Sequence, residues 1–254
     1  MERLLAMDMI MTKLTFAIGD IHGRLDLLEK AIDRIESHVF YNDVEKYTVV
    51  FCGDYVDRGL QSAQVVDFLI RGPTLPKASW VCLKGNHEDI MMQCLDSKSL
   101  SWWVQNGGGA TLLSYNHEFK VSEDVYPLSD HIKRHYDWMY SLPLYHMDEH
   151  RAFVHAGFNP HKPINLQIAE HLMWDRERAD QDYSFDGKYV VHGHTVVLDG
   201  PVEFENKINL DVGAVFHGRM PIAVFDDSIP GGPVHMLEVK GPTLTELYTE
   251  QGYK

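Results

Sequence analysis

Three cysteines among 254 residues, Cys52, Cys82 and Cys94, are too few and odd in number to frame a disulfide-stapled fold. Each sits in an apolar stretch, so they read as reduced, buried thiols of a cytoplasmic protein. Long apolar runs are also missing. No stretch reaches the ~18 residues of a membrane span. Leu4 to Ile10 is short, is broken by Asp8 and lacks a cleavage-like site, which excludes a signal-peptide reading. Basic charge is scarce as well: 23 Lys and Arg face 37 Asp and Glu, a net charge of −14. A general nucleic-acid surface needs a basic footprint, so that class of partner is excluded. Repeats and linkers are absent. Residues 13–254 read as one domain with a substantial core. Residues 1–12, with Met1, Met7, Met9 and Met11, read as a loose tail.

What the chain does have is a set of polar clusters, each placed just after an apolar run. Gly19-Asp20-Ile21-His22-Gly23 follows Leu14 to Ile18, Gly53-Asp54-Tyr55-Val56-Asp57-Arg58-Gly59 follows Tyr47 to Cys52, and Gly85-Asn86-His87-Glu88 follows Ser79 to Leu83. Two later segments match in kind, Ala152-Phe153-Val154-His155-Ala156-Gly157 and Tyr189-Val190-Val191-His192-Gly193-His194. Taken singly, each is an ordinary turn, since Gly-Asp dipeptides are common turn formers. Their repetition at βαβ spacing is not ordinary. In α/β sheets the carboxyl ends of strands are where ligands bind.

Asp20, His22, Asp54, Asn86, His155 and His194 together supply two carboxylates, an amide oxygen and three imidazoles. Such a set, with no thiolate, suits Mn²⁺, Fe²⁺ or Zn²⁺. Six ligands exceed what one open metal site uses. Two ions about 3.5–4 Å apart sharing one carboxylate would clamp a phosphoryl oxygen and acidify a bridging water. Arg58 can fork onto phosphate oxygens. His87 is placed to protonate a leaving alkoxide, with Asp57 as the carboxylate that orients it.

The three N-terminal clusters resemble the signature motifs of the phosphoprotein phosphatase family of calcineurin-like metallophosphoesterases. Asn106-Gly107-Gly108-Gly109, Trp174-Asp175-Arg176-Glu177-Arg178, His192-Gly193-His194-Thr195 and Asp211-Val212-Gly213-Ala214-Val215-Phe216 are similar to its bacterial and bacteriophage branch. The resemblance covers roughly residues 13–240. It implies that Asp20, His22 and Asp54 hold a first metal, with Asp54 bridging, and that Asn86, His155 and His194 complete a second. It implies that Arg58 and Arg176, with Asn86, bind phosphate and that His87 and Asp57 form the acid dyad. Mn²⁺ is the expected ion, with Fe, Zn or Mg in relatives. His192 departs from the family pattern and reads as a supporting or packing residue beside ligand His194.

The expected fold is α/β: two mixed β-sheets packed as a sandwich with flanking helices. Helices are expected over Leu25–Ile35, where Leu25, Leu28, Ile32 and Ile35 recur at helical spacing, and over Gln61–Ile70 and His87–Leu95. Residues 97–142 read as a mostly helical insertion that walls the cleft, with Trp102, Trp103, Trp138, Met139 and Tyr140 as core or cap. Ala169–Arg178 reads as a helix or turn that delivers Arg176. Turns are expected at Asp199-Gly200-Pro201 and Gly231-Gly232-Pro233, and Thr245–Lys254 as a fraying polar tail.

The implied activity is dinuclear-metal hydrolysis of phosphomonoesters, phosphoserine and phosphothreonine proteins first, with a metal-bridging hydroxide as nucleophile. Phosphotyrosine and small phosphoesters are further expected substrates. The alternatives are a symmetrical dinucleoside tetraphosphatase, a 2′,3′-cyclic phosphodiesterase and a non-catalytic scaffold. Glu88 leans toward the phosphatase branch, and the presence of every ligand and the general acid argues against a scaffold.

Overall fold

The computed structural model describes residues 13–115, 129–250 and 252. The expected tail at residues 1–12 lies outside the described residues.

The chain opens as β1 (Lys13–Ile18), α1 (Leu25–Tyr41), β2 (Lys46–Phe51), α2 (Ser62–Arg71), β3 (Ala78–Cys82) and α3 (Asn86–Ser97). A helical stretch follows: α4 (Ser101–Trp103), a wide turn over Val104–Gly108, α5 (Gly109–Ser114) and, after residues 116–128, α6 (Asp130–Ser141). Next come β4 (Tyr145–Met147), β5 (Arg151–Val154), α7 (Ala169–Trp174), β6 (Tyr189–His192), β7 (Val202–Glu203) and β8 (Lys207–Asn209). The chain closes with α8 (Ala214–His217), β9 (Arg219–Asp226), β10 (His235–Lys240) and α9 (Leu244–Glu250).

The strands form two five-stranded mixed sheets, in the orders β10-β9-β1-β2-β3 and β4-β5-β6-β8-β7. Strands β1, β2 and β3 run parallel in the first, as do β5, β6 and β8 in the second.

The two-residue period of a strand divides the core into layers. From the first sheet, Leu14, Phe16, Ile18, Val49 and Phe51 pack with Leu27, Leu28, Ile32 and Val66 of the helices. Their alternates Ala17, Val50 and Cys52 meet Phe153, Tyr189, Val191 and Ile208 of the second sheet. Ala152, Val154 and Val190 face the other way, onto Phe158, Leu172 and Phe185. Both faces of each sheet are therefore covered, as parallel strands require. No helix among the described residues is long and apolar enough to cross a membrane.

The insertion is helical over 101–103, 109–114 and 130–141, and the wide turn between the first two is kinked at Gly107 (φ 102°), within the glycine run. The expectation of a fraying tail is corrected over Thr245–Glu250, while residues 251, 253 and 254 lie outside the described residues. Leu244–Glu250 is a helix, and Thr243 caps it: Glu246 N–H donates to Thr243 Oγ1 (3.3 Å), while Thr243 N–H and O–H donate to Glu246 Oε2 (2.7 and 2.9 Å). This reciprocal capping box satisfies end groups that the polar composition of the tail did not advertise.

Arg24 explains how the C-terminal elements are drawn over the loop after β1. Its guanidinium is fully buried and donates to the carbonyls of Ala214 (3.2 Å), Val215 (3.0 Å) and Pro242 (2.7 Å) and to both oxygens of Asp26 (2.8 Å each). Replacing it would remove the donor from the Val215 and Pro242 carbonyls and the ion-pair partner from Asp26, while Ala214 O would keep the Gly218 N–H (3.0 Å). Arg24→Met is expected to cost about 3 kcal/mol of stability, read from urea unfolding midpoints at unchanged slope.

Candidate active site

Each parallel strand of both sheets ends at a residue of one cluster. Asp20 follows β1, Asp54 follows β2, Asn86 follows β3, His155 follows β5, His194 follows β6 and Asp211 follows β8. Short hydrogen bonds continue the ladders to these ends, from Cys52 N to Ile18 O (2.9 Å), Leu83 N to Phe51 O (2.9 Å), Gly193 N to His155 O (2.9 Å) and Leu210 N to His192 O (2.8 Å). The cluster's position is thus set by sheet pairing.

The loops that leave these strands are bent into an uncommon backbone region. His22, Asp54, Asp57, Arg58 and His194 all have positive φ, between 46° and 74°, a conformation that non-glycine residues seldom adopt. Glu88 holds the loop at Asp54. Its buried carboxylate accepts N–H groups from Asp54 (2.9 Å), Tyr55 (2.7 Å), Val56 (3.3 Å) and Gly85 (2.9 Å). Burial and the nearby Asp54 charge push the Glu88 carboxyl up to about 7, against the downward pull of those backbone donors. Gly85 must lack a side chain, because a Cβ there would collide with the Asp54 carboxylate and backbone nitrogen.

The donor atoms fall into two groups around Asp54. On one side, Asp54 Oδ2 lies 3.6 Å from His22 Nε2, which is 3.9 Å from Asp20 Oδ2. On the other, Asp54 Oδ1 lies 3.5 Å from His155 Nε2, which is 2.9 Å from Asn86 Oδ1 and 3.2 Å from His194 Nδ1. His22 Nδ1 and His155 Nδ1 donate to the carbonyls of Val56 (2.7 Å) and Cys52 (2.8 Å). Each neutral ring then presents an Nε2 lone pair toward the carboxylate and amide oxygens, a place suited to a cation; at His22 the Arg58 guanidinium occupies it.

The charges agree. Burial, Asp211 and Asp54 raise the Asp20 carboxyl well above its usual range. Burial opposes ionisation of Asp54 too, but the imidazoles of His155, His87, His22 and His194 outweigh it and hold that carboxyl low. Burial and its neighbour His155 push the His194 ring down to about 3, leaving it neutral and able to coordinate. The residues therefore fit two divalent ions, with Asp54 the one able to serve both.

His87 stands beside this centre. Its Nδ1 donates to Asp57 Oδ2 (2.7 Å), and Asp57 Oδ1 accepts from Trp103 Nε1 (2.7 Å) and Thr111 Oγ1 (2.7 Å). Arg58 Nη1 donates to His22 Nε2 (2.5 Å), and Arg58 Nη2 lies 2.9 Å from His87 Nε2. Its backbone is seated on the glycine run of the insertion: Arg58 N–H donates to Gly107 O (3.0 Å), and a Cβ at Gly107 would meet Arg58 Cγ. Arg176, in the turn after α7, donates from Nε to His194 Nε2 (3.2 Å). All the sequence-derived candidates therefore converge, whereas His192 does not join them. It is buried in β6 with Nδ1 facing Gly193 O (3.1 Å), and burial pushes it down to about 3.

Three residues gain roles that sequence reasoning did not assign. Trp103, expected as core or cap, is fully buried but also donates to Asp57. Thr111 braces the same carboxylate and accepts Asp57 N–H (2.8 Å). Asp211 sits at the sixth strand end with Oδ2 buried and unpartnered among the described residues. The Asp-Val-Gly motif was its signal, but β8 is too short to announce a strand end.

Glu88→Gln tests the loop account. An amide offers one acceptor and turns two donors toward backbone N–H groups. Stability is expected to fall by about 2–3 kcal/mol, measured by thermal unfolding, with a matching loss of bound metal by elemental analysis.

Comparison with known proteins agrees with this geometry. Residues 15–214 match the family model described as calcineurin-like phosphoesterase. The chain is 26% identical over 215 residues to serine/threonine-protein phosphatase 1 of Salmonella typhimurium, covering 82% of this chain and 90% of that one. It is 27% identical over 227 residues to an asymmetrical bis(5′-nucleosyl)-tetraphosphatase, PrpE, of Anoxybacillus flavithermus, covering 80% and 86%. In fold it is similar to a metallophosphoesterase from Sphaerobacter thermophilus, with a TM-score of 0.54 at 17% identity over 96% of this chain and 95% of that one. The chain belongs to the calcineurin-like phosphoesterase family.

Proposed function

We infer that this phosphoesterase acts on phosphomonoesters of proteins, phosphoserine and phosphothreonine first, with two Mn²⁺ ions before Fe, Zn or Mg. The observation that carries the reading is Asp54, whose two oxygens face separate donor sets while His87 and Arg58 stand on its open side. Asp20, His22 and Asp54 would hold one ion, and Asn86, His155, His194 and Asp54 the other. Bound there, the two ions supply Lewis-acid polarisation of phosphorus and an ionised water at neutral pH.

The chain's own residues do the rest. Arg58 and Arg176 fork onto the equatorial phosphate oxygens, where charge collects in a loose transition state. Asn86, at the amino end of α3, adds a polar contact to phosphate. His87 donates its Nε2 proton to the departing side-chain oxygen. Burial works against protonation of His87, but Asp54 and the Asp57 hydrogen bond outweigh it and raise the ring above its ordinary range. Asp57 keeps the ring turned toward the leaving group, and Trp103 and Thr111 keep Asp57 in place.

A second reading, a dinucleoside tetraphosphatase, has its own support. Besides the tetraphosphatase relative, the rim is aromatic: Trp102 stacks on Trp174 (ring centroids 6.3 Å apart, 15° between planes), Trp174 lies edge-on to His194, and Phe216 flanks Arg58. Such faces could hold a nucleobase.

Rates of the Mn²⁺-loaded protein on a phosphoserine peptide and on diadenosine tetraphosphate decide between the two. The expected result is a higher kcat/KM on the peptide, and the reverse order overturns the phosphoprotein reading. For the general acid, His87→Asn is expected to lower kcat about 100-fold on an alkyl phosphate, with metal content unchanged. The loss should shrink on p-nitrophenyl phosphate, whose leaving group departs without protonation. Equal losses on both would remove His87 from that role.

A further inference from the structure

A second convergence of metal-ligating side chains lies away from the strand ends and shares no residue with them. Asp67 projects from α2, and His131 and His135 project from α6, which packs beside it. The two histidines are four residues apart, so a helix places them on one face. Their Nε2 atoms reach the two oxygens of one carboxylate: His135 to Asp67 Oδ1 (3.0 Å) and His131 to Asp67 Oδ2 (3.0 Å). One ligand atom from each of the three residues lies within 4.8 Å of the others.

Further details make this more than an ion pair. His135 is fully buried, and its other nitrogen, Nδ1, is bound to the hydroxyl of buried Tyr115 (2.8 Å). A bond of that kind fixes ring orientation and leaves Nε2 directed at the cluster, as around metal-bound histidines. The two rings lie 4.3 Å apart at 72°, so their ligand edges converge without stacking. Burial pushes His135 down to about 4, and no proton has to be removed from a charged ring at neutral pH. His131 and Asp67 are partly exposed, which leaves an approach from solvent.

We propose that Asp67, His131 and His135 form a third divalent-cation site, selective for Zn²⁺ or a similar borderline ion, that clasps α2 to α6. Two imidazoles and one carboxylate are a tetrahedral zinc set with one position open to water. The hard oxygen-seeking ions Mg²⁺ and Ca²⁺ are poorly matched to two imidazoles. Arg134, whose side chain is mostly exposed, also contacts Asp67 Oδ1 and lies 3.5 Å from His135 Nε2. It is the competing cation, and it must release that oxygen when the metal binds. An ion that links two helices stabilises the fold by mass action, because the unfolded chain does not hold the three ligands together.

The test counts metal. Wild-type protein, His131→Ala and Asp67→Ala are saturated with Mn²⁺ and dialysed against a series of Zn²⁺ concentrations, and bound zinc is measured by elemental mass spectrometry. Zinc taken up at the strand-end centre is common to all three and cancels in the difference. The wild type is expected to bind one more Zn²⁺ per chain than either variant and to gain melting temperature over the same zinc range. Mn²⁺-supported turnover is expected to be equal in wild type and His131→Ala, a partly exposed position outside the catalytic machinery. Arg134→Ala is expected to fill the site at lower free Zn²⁺. Equal zinc counts in the wild type and both ligand variants would overturn the proposal, and that count does not depend on which phosphoester the protein hydrolyses.

Discussion

The site rests on one carboxylate. Glu88 reaches from the first turn of α3 across the loop after β2 and gathers N–H groups that the bent backbone at Asp54–Val56 would otherwise leave buried and unpaired. A left-handed residue costs of order 1–3 kcal/mol unless its surroundings compensate, and an unsatisfied buried N–H costs a similar amount. Glu88 meets both demands at Asp54 and ties the same loop to Gly85, which opens the helix that carries Asn86 and His87. Without Glu88 the loops after β2 and β3 would lose their shared buried acceptor and keep the bonds from His87 N–H to Asp54 Oδ1 (3.0 Å) and from the Tyr55 hydroxyl to Leu83 O (2.6 Å).

Around that anchor the chemistry is an electrostatic conflict resolved by cations. Asp20, Asp54 and Asp211 are all buried, and their mutual repulsion together with desolvation makes ionisation unfavourable for Asp20. Burial works against charging His22 and His194, so those two rings offer lone pairs in place of positive charge. Arg58 supplies positive charge on one side and Arg176 on the other. The same arrangement that favours divalent ions leaves two forked donors at the mouth of the site, where a phosphate would bring its own negative charge. Net acidity of the chain and affinity for an anionic substrate are compatible because the field is local.

The helical insertion is part of the site as well as its wall. Its glycine run lets backbone approach Arg58 closely, and Trp103 and Thr111 on either side of that run fix Asp57. The exposed faces of Trp102 and Phe216 form an aromatic rim, with Phe216 beside Arg58. C-terminal helix α9 closes the other side, with the Tyr248 hydroxyl donating to Arg58 O (3.4 Å).

The amino-acid sequence by itself announced the strand ends and the polar residues on them. Asp20, His22, Asp54, Asn86, His155 and His194 could be read because each stands at a fixed short offset from an apolar run. His87 with Asp57 was legible for the same reason, since both lie within the local motifs. What only the tertiary structure decided depends on contacts distant in the chain. Trp103 and Thr111 reach Asp57 from 46 and 54 residues away. Asp211 joins the centre through a three-residue strand, and α9 forms where composition indicated a loose tail. Asp67 meets His131 and His135 only because α2 and α6 pack together. Local spacing can announce a residue that a strand end presents. Partners brought together by packing have no shared period along the chain, so the fold alone identifies them.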